Sequence, residues 1–175
     1  MRRTSTLLFA CAASLLGAHV YAQAPAAPPA AGGTADGVPF DVPYGPDINL
    51  ESARKLVAAV EAEAVKHRWK MAISVVDTHG ELVHFARMDG TQIGSVDVSQ
   101  GKAWTAARFR RESRALYNAV QTGFVYTTSL DRRIVASPGA YPLMDNGKMV
   151  GAIGCSGGTG DQDAAACKAG ADMMK

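Results

Sequence analysis

The run Gly151-Ala152-Ile153-Gly154-Cys155-Ser156-Gly157-Gly158-Thr159-Gly160-Asp161-Gln162-Asp163 decides how the carboxyl-terminal half of this chain is built. Small and apolar residues end a strand, glycines permit a tight backbone turn, and Asp161 then opens a helix. Such a loop gathers several backbone N–H groups beside the positive end of a helix, a setting that suits a carboxylate or phosphate. The simpler role is a turn that lets strand and helix pack closely, with Asp161 as the cap. Asp161 and Asp163 would repel an anion placed too near. A dinucleotide site is excluded, because a βαβ unit needs roughly 30 residues and far fewer remain.

Working back from that run, 141–144 and 148–155 form a hairpin around Asp145-Asn146-Gly147, where Asn-Gly supplies the positive φ angles of a tight turn. The final helix spans 161–174, with Ala165, Ala169 and Met173 on one face. Nearer the start, Asn49 caps a helix running to about 67. Ala53, Leu56, Val57, Val60 and Ala64 mark its buried stripe at three- and four-residue spacing. A β-branched run over 71–76, a turn over 77–80 and a return over 81–88 predict a first hairpin. Ser95 caps a second helix to 109, and Ser113 a third to 121 that Gly123 stops. The segment 124–139 has no clear period and reads as an irregular crossing. The order is α-β-β-α-α-β-β-α. Hairpin-linked strands between helices predict an α+β domain: an antiparallel sheet covered on at least one face.

The amino terminus reads as a secretion signal. Arg2 and Arg3 precede an apolar stretch over 7–16, and Val20-Tyr21-Ala22 offers a small-x-small cleavage pattern. The apolar stretch is shorter than the about 20 residues needed to span a bilayer. The expected division is a signal peptide at 1–22, an Ala/Pro/Gly-rich linker at 23–46 and one domain at 47–175, exported to a periplasm or beyond. Removing 1–22 takes two of the 18 basic residues and none of the 16 acidic ones, so the mature chain is close to neutral. It carries no basic stripe of the kind that condenses on nucleic acid, and no stable membrane insertion is expected. Cys155 and Cys167 remain after cleavage. They could pair in an oxidising compartment, but Cys155 sits where a small buried apolar residue is wanted, which favours two buried free thiols. No Cys/His cluster indicates zinc.

Four motifs recur in a familiar order: Val75-Val76-Asp77-Thr78-His79-Gly80-Glu81-Leu82, Arg87-Met88-Asp89-Gly90, Lys102-Ala103-x-Thr105-Ala106 and the Gly151–Asp163 run. With them the chain, from about 50 onward, resembles the GlcG/HbpS family. That haem-binding or "haem-degrading" domain is also fused to some corrinoid adenosyltransferases. The resemblance implies a profilin-like sheet flanked by helices, homo-oligomers (dimers or larger) and, in exported members, haem. One departure is the stretch Ser137-Pro138-Gly139-Ala140-Tyr141-Pro142, where members carry Gly-Gly-x-Pro.

The residues expected at a ligand are Arg87, Lys102, Thr105, Ser156, Gly157 and Gly158. Arg87 can clamp a carboxylate such as a haem propionate, or pair structurally with Asp89 or a helix end. Lys102 and Thr105, three apart on one helix face, either meet a ligand or subunit, or leave Lys102 snorkelling to solvent and Thr105 packed on the sheet. Trp104 and Phe109 can stack on a porphyrin or serve as core. His84 alternates with apolar neighbours on its strand, facing one side with Leu82 and Ala86. It is the candidate axial ligand for haem iron, with Met88, Met144 and Met149 as possible second ligands. The leading expectation is an exported haem-binding protein with no nucleotide cofactor. The alternative is a small-molecule enzyme acting on a carboxylate-bearing metabolite, with Arg87 as anchor and Lys102 or Asp89 moving the proton.

Overall fold

The computed structural model describes residues 41–174; the expected signal peptide at 1–22 and residues 23–40 of the expected 23–46 linker lie outside the described residues. Helix α1 (Leu50–Lys66) starts where Asn49 accepts a hydrogen bond from Ser52 N at 2.8 Å. Its buried residues are Ala53, Leu56, Val57, Val60 and Ala64, the stripe that the spacing predicts. Strands β1 (Ala72–Val76) and β2 (Leu82–Arg87) form the first hairpin. The Asp77 carboxylate accepts from His79 N and Glu81 N at the turn.

Helices α2 (Ser95–Phe109) and α3 (Ser113–Gln121) follow, then a 3₁₀ turn (Val125–Ser129). Neither serine caps as expected; each is the first helical residue, and its hydroxyl reaches across the fold instead. Ser95 Oγ accepts from Ser156 Oγ at 3.1 Å, while Ser113 Oγ donates to Ser137 O and accepts from Ala140 N. These partners lie far along the chain, so local spacing does not reveal them. The rest of the irregular crossing stays outside any strand.

Strands β3 (Ala140–Asp145) and β4 (Lys148–Ser156) make the second hairpin, with Asn146 at φ 49° and Gly147 at φ 74°. Helix α4 (Gly160–Ala171) begins one residue earlier than predicted. Its cap is Thr159, which accepts from Gln162 N while the Gln162 side chain accepts from Thr159 N, a reciprocal box. Asp161 is not the cap; it is exposed and pairs with Arg114 at 2.7 Å. The buried face of α4 is Ala164, Ala166, Cys167, Gly170 and Ala171, whereas Ala165 and Met173 are exposed. The predicted stripe fails because alanine is too common along this helix for its spacing to single out a face.

The sheet is antiparallel throughout, in the order β2-β1-β4-β3, so the described domain is α+β. Both faces are covered. Helices α1 and α4 bury Ile73, Val75 and Ile153 on one side; α2 lays Ala103, Ala106 and Ala107 against Val76, Ala140 and Ala152 on the other. The chain before the domain also docks, as Met149 exchanges hydrogen bonds with Pro43 O and Gly45 N. Cys155 on β4 and Cys167 on α4 form a disulfide, with Cα atoms 5.5 Å apart, in place of the expected free thiols. Both sit on the side of the sheet where α4 packs, which brings them within bonding range. Among the described residues no helix is long and apolar enough to cross a membrane.

Candidate functional site

Helix α2 carries two different sites on its two flanks. On one flank Lys102 is 1% exposed and does not snorkel to solvent. Its Nζ donates to Asp163 Oδ2 at 2.7 Å and to Cys155 O at 3.2 Å. Asp163 Oδ1 in turn accepts from Gly158 N at 2.8 Å, tying the glycine loop to the same ion pair. Gly139 closes the lid: its φ is +123°, and a Cβ there would lie 3.0 Å from Lys102 Nζ. Thr105 Oγ1 donates to Gly101 O at 2.7 Å and accepts from Val135 N at 3.0 Å. Lys102, Thr105 and Ser156 thus each have an internal partner, in a polar seam that fastens α2, β4 and α4 together.

The remaining predicted residues do not converge on that seam. Gly157 and Gly158 line a recess of about 370 Å³ with Arg68, Lys70 and Gln92. Arg87 and Asp89 are both exposed at the end of β2, and no ion pair joins them. Arg87 and Ser156 flank Ala72 in one row across the sheet. His84 is half-buried and stands opposite Val75, on the α1 side. A bulge between Val75 and Val76 breaks the strand alternation, so His84 and Leu82 do not share a face as expected. Of the possible second iron ligands, Met88 already accepts a hydrogen bond from Met71 N through its sulfur, and Met149 is fully buried.

On the other flank of α2 lies a cleft of about 350 Å³. Val76, Leu82, Gln100, Gly101 and Val135 line it with Trp104, and Glu81, Asp97 and Arg133 supply its charges. Trp104 is 7% exposed, and its indole Nε1 is buried with no hydrogen-bond partner. Buried indole N–H groups usually find an acceptor, so this one stands out. The Arg133 guanidinium lies 4.1 Å from the centre of the Trp104 ring, and Arg108 approaches at 5.9 Å. Gly80, at φ +86°, abuts the Nε1 edge: a Cβ there would meet Cδ1 at 2.6 Å and Nε1 at 3.0 Å, so the turn packs this closely on the indole only with glycine. Thr105 holds Val135 beside the ring through its hydrogen bond, so the polar seam and the cleft share a support. Sequence reasoning considered Trp104 for stacking but missed Arg133 and Gln100; nothing in the aperiodic 124–139 segment signals that it crosses α2.

A third grouping joins Asp47, Asp77 and His79, whose ligand atoms lie within 4.8 Å of one another. Asp47 Oδ1 accepts from both the Thr78 hydroxyl and Thr78 N, and those bonds hold its carboxyl below the usual range. The hydrogen bonds of Asp47 and Asp77 fix the hairpin turn, which accounts for the cluster without an ion.

Helices on both faces of a four-stranded antiparallel sheet, with a small cleft against one helix, define an α+β sandwich domain. The match to the family described as "Haem degrading protein HbpS-like" covers residues 48–172, and the chain belongs to that family. It is 40% identical over 119 residues to an uncharacterised 15.0 kDa protein of Citrobacter freundii, spanning 66% of this chain and 84% of that one. The crystal structure of the Klebsiella pneumoniae protein ORFY superposes with a TM-score of 0.71 at 32% identity, over 74% of this chain and 92% of that one. That of a PduOC:heme complex does so with 0.67 at 26%, over 72% and 94%.

Proposed function

We propose that this protein is an exported haem binder, and that the Trp104 cleft receives an edge of the porphyrin. The observation that carries the placement is the buried, unpartnered Trp104 Nε1–H beside a cleft whose wall also bears apolar side chains and a guanidinium. A flat, apolar guest with acidic substituents matches those three features together. A relative of similar fold has been solved as a haem complex, which supports the choice of guest. The cleft is too small to enclose a whole porphyrin, so the ring must extend past Leu82, which is 51% exposed on an edge strand.

His84 is the imidazole we assign to the iron, which it would hold in the protein matrix. It stands on the same edge strand as Leu82 but on the other face, and would reach a porphyrin from the strand edge. The disulfide between Cys155 and Cys167 supports export, since such bonds persist in oxidising compartments. Val125, Tyr126 and Leu130 expose apolar side chains beside α3, and a homo-oligomer would cover them. The enzyme reading is weaker here: Lys102 is sealed in an ion pair and Asp89 is exposed.

The test is a titration of the mature chain with haemin, followed by absorption. Binding produces a saturable Soret band distinct from that of free haemin, and His84→Ala shifts it. A spectrum that stays the sum of its components would remove the proposal.

A further inference from the structure

We infer that Trp104 and Arg133 form a carboxylate receptor, in which the indole Nε1–H and the free edge of the guanidinium donate to one carboxylate. This deepens the haem reading and rests on it for the identity of the guest, though the receptor chemistry is the same for a free small carboxylate. The Arg133 fork is only partly used. Asp131 accepts from Nε at 3.2 Å and from Nη2 at 3.3 Å, while Nη1 makes no hydrogen bond among the described residues. Asp131 also accepts from Arg133 N at 2.9 Å, so its carboxylate stays fixed to the backbone. It thereby holds the guanidinium over the indole ring with donors to spare, a pre-organised arrangement.

The indole supplies the second donor. Nε1 is buried without an acceptor, and its edge of the ring packs closely against Gly80. Leaving such a donor unsatisfied is costly, and an anionic acceptor relieves that cost more than a neutral one does. Asp97 and Glu81 on the cleft wall select against a guest with many negative charges close together. The receptor therefore suits a single carboxylate on a flat apolar body: one porphyrin propionate or an aromatic monocarboxylate.

The experiment follows the two indole N–H resonances of the mature chain by ¹⁵N–¹H correlation, with Trp104→Phe assigning one and leaving Trp69 as the other. Iron-free protoporphyrin IX, its dimethyl ester and benzoate are the probes. The receptor predicts that benzoate moves the Trp104 resonance, that the free acid binds about tenfold tighter than the ester, and that Arg133→Gln removes both effects. Arg133 is exposed, so the variant folds. Benzoate binding without porphyrin binding would uphold the receptor and overturn the haem reading. Acid and ester binding alike, with Arg133→Gln indistinguishable from the parent, would overturn the receptor while sparing the haem reading. Silence of the Trp104 resonance towards every probe would overturn both.

Discussion

Lys102 Nζ and Asp163 Oδ2 lie 2.7 Å apart in the interior, with their side chains 1% and 3% exposed. An ion pair so enclosed gains from Coulomb attraction and hydrogen bonds what it loses in hydration, and the balance fails when one partner goes. Lys102→Met leaves the Asp163 carboxylate buried and unpaired, and should lower unfolding free energy by about 3–5 kcal/mol in urea titrations. The double variant Lys102→Met with Asp163→Leu should lose clearly less than the two single losses added together.

The disulfide closes a short loop, since Cys155 and Cys167 are 12 residues apart. Replacing both with alanine should cost about 3 kcal/mol, measured as a lower urea midpoint than the oxidised parent's. Reductant should lower the parent's midpoint and leave the variant's unchanged.

Gly154 is where α2 rests on the sheet: a Cβ there would run into Ser99 O and the Ala103 backbone. Gly154→Ala should destabilise by about 1–3 kcal/mol through overpacking. Because the helix moves away from the sheet, the Trp104 fluorescence spectrum should change even where the chain stays folded.

Much of the fold was legible because its signals are local. The α1 stripe needs only three- and four-residue spacing, and Asn146-Gly147 specifies its turn by backbone conformation alone. The α4 face was not legible, because an alanine-rich helix offers no contrast between its sides. The site was less legible still. Lys102 could be singled out, but its partner Asp163 stands 61 residues away, and only packing decides whether such a lysine reaches water. Trp104 was visible as an aromatic on a helix of small residues. Its neighbours Gly80 and Arg133 come from a turn and an aperiodic strap, which spacing does not relate to it.

Asp47 gives a pH-dependent prediction. Hydrogen bonds from Thr78 hold its folded-state pKa below the usual carboxylate range. A depressed carboxylate contributes stability that is fully present above the unfolded value and is lost as pH falls through the folded one. Thr78→Val removes the hydroxyl bond, so the variant should be less stable than the parent at pH 6. That gap should shrink as pH drops through and below about 4, in denaturation curves collected across the acid range.

The central claim is where the guest sits, and a crystal structure of the mature chain with bound porphyrin tests it most directly. The account predicts the porphyrin edge against Trp104 and Gly101, with a propionate within hydrogen-bond distance of Arg133. A porphyrin held instead in the Gly157–Gly158 recess or on α1, with the Trp104 cleft untouched, would contradict it.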